Sequence, residues 1–218
     1  MRAKDQLIMF FAVFPASPLK NCLLRMLGWK IGSGSKVSSI LAMRLPNVTL
    51  GDHVIVQQFS VFRDVSIEID NSSVLGKWNW VSAARPLKGL PEFKGLLKVG
   101  KNCGINSRNY FDVSGGVTFG DFSDLAGIRS TFITHQIDSV TNKQTCSPIE
   151  IGEHTMVCSN STFVPGGTRI GNRSIIAMGS VVTRGTYGDS SLFAGNPAKF
   201  KKVVTGKWFG RNEGPSGL

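Results

Sequence analysis

Paired cysteines, clustered histidines and long apolar runs are all missing from these 218 residues. Cys22, Cys103, Cys146 and Cys158 stand far apart with no CxxC pair, which argues against a zinc knuckle or a disulfide framework and fits free thiols in a reducing compartment. His53, His135 and His154 match no familiar ligand spacing, so no metal is expected. The apolar stretch from Leu7 to Phe14 is too short to span a bilayer. With Asp5 before it and no A-x-A step after it, it does not read as a secretory signal. A cytoplasmic protein is expected, with peripheral contact at the anionic inner membrane face left open. Acidic residues are scarce too, 14 against 25 Lys and Arg, and the net charge of +11 calls for anionic company. No recognition motif accompanies those positive charges, so nucleic acid is disfavoured as the partner.

What the chain does have is glycine, 25 in all, and a beat of six. From Ile151 the chain reads IGEHTM, VCSNST, FVPGGT and, after one extra residue at Arg169, IGNRSI, IAMGSV, VTRGTY. The beat also runs through LGDHVI and VQQFSV from Leu50, VGKNCG and INSRNY from Val99, and FGDFSD and LAGIRS from Phe119. A period of six fits neither an amphipathic helix nor a long alternating strand. It predicts a short strand and a corner, three of which make one turn of an all-β triangular solenoid. The aliphatic opener of each six would point inward, with glycine or another small residue relieving the corner. Roughly seven to eight turns fit between Ile31 and Val182. A β-sandwich is the plainer alternative, but its strands should alternate evenly.

Three segments follow: an apolar and helical cap over 1–30, the solenoid over 31–196, and a basic tail over 197–218. In the cap, Ser17 and Pro18 signal a helix start and Gly28 a stop, with Leu19, Leu23 and Met26 on one face and Lys20 and Arg25 elsewhere. The beat breaks at 83–98 and again at 136–148. The second break begins beside His135, which suggests the edge of a pocket. Taken alone, that histidine could be a core residue, a ligand or a base. Trp78 and Trp80 in KWNW could stack on a sugar ring or pack a corner. A buried inert thiol is the plain reading of Cys158, against a nucleophile, and outward surface positions that of His53 and His154.

These hexads, together with ITH, PIEIG, IAMGSVVTRG and GNPAK in that order, resemble the hexapeptide-repeat acyltransferases from about Val99 to Lys202. The likeness is to sugar O-acetyltransferases of the galactoside, maltose and exopolysaccharide or capsule type. It implies a left-handed parallel β-helix, a homotrimer, acetyl-CoA as co-substrate and a sugar or glycan acceptor. It also implies that His135 is the catalytic base. On the acceptor side it places Asn109, Asp112 and Asp138. Along the coenzyme it places Ser159, Ala177, Met178, Gly179, Thr183 and Arg184, with Lys199 and Lys202 toward the adenosine phosphates. The chain departs from the family pattern at Ile137, where a second histidine is usual, and at Met156, Cys158 and Met178.

Imidazole suits the implied chemistry because it exchanges a proton near working pH. Either Asp112 or Asp138 could fix its tautomer. Two other functions remain compatible with the residues: N-acetylation of an amino-sugar nucleotide, and a non-catalytic β-helix scaffold. The basic residues Lys199, Lys201, Lys202, Lys207 and Arg211 are either solvated or phosphate-binding.

Overall fold

The computed structural model describes residues 3–213. Each six becomes a short strand and a corner, and three sixes close one coil, so equivalent strands stack into three sheets. The first face holds eight strands, from Lys30–Ile31 to Gly185–Tyr187. The second holds nine, from Lys36–Val37 to Lys199–Val203, and the third seven, from Leu41–Met43 to Val181–Val182. Within these three faces the strands pair in parallel, except at the last strand of the second face, which reverses.

The expected openers form the core. Ile151, Val157 and Phe163 are buried in one coil and pair in register with Ile170, Ile176 and Val182 of the next, also buried. Inside the third face the rings of Phe111, Phe132 and Phe163 stack nearly parallel, at 4.8 and 4.5 Å between centroids. That spacing is the strand separation itself, about 4.8 Å. Burying such aromatic and branched side chains drives the coil closed.

Glycine does a different job from the one expected. In the FG and IG steps that follow strands of the first face, Gly120 and Gly152 have ordinary φ values, but a Cβ at Gly120 would stand 2.8 Å from the Glu153 amide nitrogen one coil on. At Gly152 it would stand 2.8 Å from that of Asn172. The left-handed residues of these corners lie two positions later, at Phe122 (φ +58°) and His154 (φ +51°). Glycine therefore admits the neighbouring coil, and a bulkier residue bears the corner strain. Hydroxyls tie the corners together. Ser174 Oγ donates to the Gly188 carbonyl (2.9 Å) and accepts from the Ser191 amide (3.2 Å), and Thr155 does the same one coil earlier, with Gly171 and Ser174. Buried polar backbone is thereby satisfied where the sheets break.

Two helices cover the first coil, α1 (Ala3–Ala12) and α2 (Pro18–Met26). Ser17 caps α2 by accepting from the Lys20 amide at 3.1 Å, with Pro18 at its first position, as the sequence predicts. The packing face of α2 is not the one expected. Leu19 and Met26 are 69% and 78% exposed, whereas Lys20 and Leu24 are buried. Lys20 is tolerated there because its Nζ donates to the carbonyls of Ala12 (2.7 Å), Phe14 (2.8 Å) and Ser38 (2.8 Å). Burial pushes its pKa down to about 8. The three acceptors match the three N–H bonds of the ammonium form and oppose that loss of charge.

The basic tail also folds back. Lys199–Val203 pairs antiparallel with Ser191–Ala194, and a short 3-10 turn at Lys207–Gly210 follows. Arg211, stacked on Trp208 at 4.5 Å, donates to Asp124 Oδ2 (2.9 Å) and to the Phe122 carbonyl (2.6 Å). Arg211 is thus neither solvated nor free for a phosphate, whereas Lys199, Lys201, Lys202 and Lys207 stay exposed. The last part of the expected tail, 214–218, lies outside the described residues.

Lys20→Met should orphan the Phe14 and Ser38 carbonyls at roughly 1–3 kcal/mol each if they stay dry, while the Ala12 carbonyl keeps the Ile40 amide at 3.0 Å. Hydrogen exchange is expected to accelerate in α1, α2 and the first coil, with the later coils unchanged. Unchanged protection of α1 would show that Lys20 does not hold the cap.

Candidate active site

After Thr131–Phe132 the chain reaches the corner between the third and first faces and leaves the coil. His135–Asp138 and Lys143–Cys146 form an antiparallel hairpin there, with His135 opposite Cys146 at its base. The coil resumes at Ile149. The sequence showed this hairpin only as a broken beat.

Asp112 comes from the strand Tyr110–Asp112, one coil earlier. Phe111 points into the core, so Tyr110 and Asp112 both face outward. The His135 imidazole, with a third of its side chain exposed, meets Asp112 Oδ2 through Nδ1 at 2.8 Å. Asp112 itself is buried and well supplied with donors. Its Oδ1 accepts from Ser114 Oγ (2.6 Å), and its Oδ2 accepts from the Thr134 amide (2.8 Å) and hydroxyl (2.9 Å). Burial pushes the Asp112 carboxyl up, but hydrogen bonds from Ser114, His135 and Thr134 outweigh it and hold the group below the usual carboxylate value. An ionised acceptor makes Nδ1 the donor, which in a neutral ring leaves Nε2 as the unprotonated nitrogen.

Of the two candidate carboxylates, Asp112 is the one that meets the imidazole. Asp138 turns its Oδ1 to the hairpin bend instead, accepting from the amides of Val140 (3.0 Å) and Thr141 (2.7 Å). Asn109 faces inward rather than toward an acceptor. It is 2% exposed, its Oδ1 accepts from the Ser130 amide, and its Nδ2 donates to Asn79 and to the Asn106 carbonyl. Such internal asparagines satisfy a corner. They do not present a ligand site.

The proposed coenzyme residues fall on both edges of the third face. Thr183 and Arg184 follow Val181–Val182 on the His135 corner. Arg184 lies against Gly166, where a Cβ would come within 3.2 Å of it, and Gly167 lies toward Ser147. Ser159, Ala177, Met178 and Gly179 occupy the opposite corner, between the second and third faces. Ser159 is internally engaged: its Oγ accepts from the Ile128 amide (3.1 Å) and its carbonyl from the Gly179 amide (3.0 Å). Met178 projects, 68% exposed. Lys199 and Lys202 sit beyond, on the reversed strand.

Three neighbours of the imidazole escaped sequence reasoning. Thr134 and Ser114 hold Asp112, and the only trace of them was their place in ITH and DVSGG. Cys146, read from the sequence only as a free thiol, sits across the hairpin from His135. Burial, and then the nearby Asp112 and Glu92 carboxylates, push its pKa up, so it is no thiolate nucleophile. Cys158 is likewise raised by burial. His154, expected at the open surface, is half-buried and stacked on Phe122 at 4.8 Å.

No protein-family profile matches the chain. Two Staphylococcus aureus proteins, each assigned as an acetyltransferase, are 35% identical to it over 112 residues, 50% of this chain and 55% of theirs. The chain thus spans about half the length of the curated relatives it matches. Among solved structures, a hexapeptide-repeat acetyltransferase of Vibrio cholerae superposes over 93% of this chain and 89% of its own, with a TM-score of 0.52 at 16% identity. A Bacillus cereus N-acyltransferase, AntD, solved with dTDP and coenzyme A, covers 88% of this chain and 92% of its own, with a TM-score of 0.56 at 12% identity. The fold is the left-handed parallel β-helix of such hexapeptide-repeat acetyltransferases.

The depressed Asp112 value has a sign that can be checked. Stability contributed by the ionised group is complete above the unfolded carboxylate value of about 3.9 and is lost as pH falls through the lower folded value. Urea unfolding should show wild type above Asp112→Asn by a constant margin at neutral pH, closing in acid. A margin independent of pH would mean that the carboxylate charge contributes nothing.

Proposed function

We propose that this protein is an acetyl-CoA-dependent acetyltransferase that acylates a sugar hydroxyl, in the assembly of an exopolysaccharide, capsule or O-antigen. One observation carries the reading: the 2.8 Å contact between His135 Nδ1 and the buried Asp112 carboxylate, which occupies one nitrogen of a part-exposed ring and frees Nε2 for proton transfer. Acetyl transfer needs a base for the acceptor proton and the same group as acid for the leaving thiolate. His135 Nε2 takes the hydroxyl proton as the sugar oxygen bonds to the thioester carbonyl carbon. When the carbon–sulfur bond breaks, Nε2 returns that proton to the coenzyme sulfur. Asp112 stays ionised throughout and stabilises the transient imidazolium.

The coenzyme would lie along the third face, its arm near Ala177, Met178 and Gly179 or near Thr183 and Arg184, with its phosphates toward Lys199 and Lys202. These groups sit on opposite edges of one face, so a groove between neighbouring protomers of a homotrimer would bring His135 of one molecule to the far corner of the next. Large apolar side chains left exposed on that side, Leu41, Phe59 and Trp78 among them, are consistent with a covering protomer. N-acetylation of an amino-sugar nucleotide is the second reading, favoured by the likeness of the fold to the N-acyltransferase AntD, and a panel of hydroxyl and amino acceptors separates the two.

His135→Ala is expected to fold and to bind coenzyme A normally while kcat falls roughly 100- to 10,000-fold. A well-folded variant keeping half its activity would end the reading. Light scattering should give a trimer, and a monomer with full activity would remove the shared groove.

A further inference from the structure

The outer side of the third face is a grid of parallel strands, and its register places four side chains beside the His135–Asp112 pair. Trp80 and Tyr110 are partners on adjacent strands, and so are Ser82 and Asp112, while Arg63 pairs with Ser82 from the coil before. Rows are about 4.8 Å apart, and Tyr110 lies about 7 Å along its strand from Asp112 on the same side. Both aromatic rings are open, Trp80 at 39% and Tyr110 at 42% exposure. Trp80 is also held in place, because its Nε1 donates to Ser82 Oγ at 3.2 Å. Arg63 lies over the Trp80 ring at 6.0 Å.

Neighbouring groups with similar chemistry are already committed. Trp78 pairs with Phe59 at 4.6 Å on the preceding corner. Arg44 is bound bidentately by Asp64, at 2.8 and 2.7 Å. Arg63, by contrast, is exposed, and its recorded partner among the described residues is the Trp80 ring. Lys88 and Arg85 also act on Asp64 from the 83–98 segment, so cations outnumber the carboxylate at that edge.

We propose that Trp80 and Tyr110 form a sugar-binding platform and that Arg63 takes an anionic substituent of the same sugar, so that the acceptor is an acidic or phosphorylated saccharide. This rests on the reading of His135 as the base. A pyranose carries C–H bonds on its ring faces, which pack on aromatic rings, and hydroxyls at its rim, one of which can reach an imidazole beside the platform. Arg63 stands two coils, about 10 Å, from Asp112, roughly a ring and one substituent away. A guanidinium presents paired donors to phosphate or carboxylate oxygens. The KWNW motif thus divides: Trp78 packs the corner, and Trp80 meets the ligand.

Indole 15N–1H signals of the full chain test this without any transfer step. The sequence has four tryptophans, and Trp80→Phe identifies the signal of interest. Hexose 1-phosphates, hexuronic acids and the matching methyl hexosides serve as probes. The Trp80 signal should shift saturably, with a charged sugar binding about tenfold or more tightly than its methyl hexoside. Which charged series binds tighter identifies the substituent. Arg63→Gln should abolish the preference while keeping hexoside binding, and Trp80→Leu, read from sugar signals by saturation transfer, should weaken all three about tenfold. No Trp80 response across the panel, or a preference that survives Arg63→Gln, overturns the proposal. So does a Trp80 signal that changes only with protein concentration, since a second copy would then cover the platform. Coenzyme A titrated separately reports on the transferase reading, which can fail while the sugar result stands.

Discussion

Every coil must lie one strand spacing from the next, and the rest of the molecule follows from that constraint. It forbids a Cβ at Gly120 and Gly152, where the adjacent backbone already occupies the space. It also stacks Phe111, Phe132 and Phe163 at the same separation. The hydroxyls of Thr155 and Ser174 become rungs, each serving a carbonyl and an amide of the following coil. Because equivalents stack, outward side chains align as well, and chemistry placed on one face forms columns.

The candidate site arises where this regularity stops. The hairpin of 135–146 leaves the coil at one corner, so His135 is held by secondary structure rather than by a loose loop. Asp112 reaches it from the coil before, and Ser114 and Thr134 bind the carboxylate from both coils. A buried carboxylate with that many donors is rigid and charged, which is what an orienting partner for an imidazole requires. The outward columns then carry Tyr110, Trp80 and Arg63 away from the imidazole along one face.

Periodicity made the solenoid legible, because Ile151, Val157 and Phe163 declare three faces by rank alone. His135 was legible as the residue at which the beat fails. Its partner was not, since Asp138 is close to it in sequence and Asp112 is 23 residues away, and only the stacking of one coil on another selects Asp112. Asn109 misled for the same reason: polar residues at corners serve the neighbouring coil as readily as a ligand. In α2, hydrophobicity suggested Leu19 and Met26 as the packing face. Lys20 is buried instead, because three carbonyls from distant segments converge on it, a convergence that no local pattern encodes.

The reversed strand at Lys199–Val203 bears on a hazard built into any stack of identical rungs. A parallel sheet ending on a bare edge is a template onto which another molecule could dock end to end and grow a fibre. Here the second face ends in a strand running the other way, with Lys199, Lys201 and Lys202 along it. A newcomer would meet the wrong polarity and a row of like charge. At the opposite end α1 and α2 lie over the first coil, so end-to-end growth through the second face or the first coil is opposed.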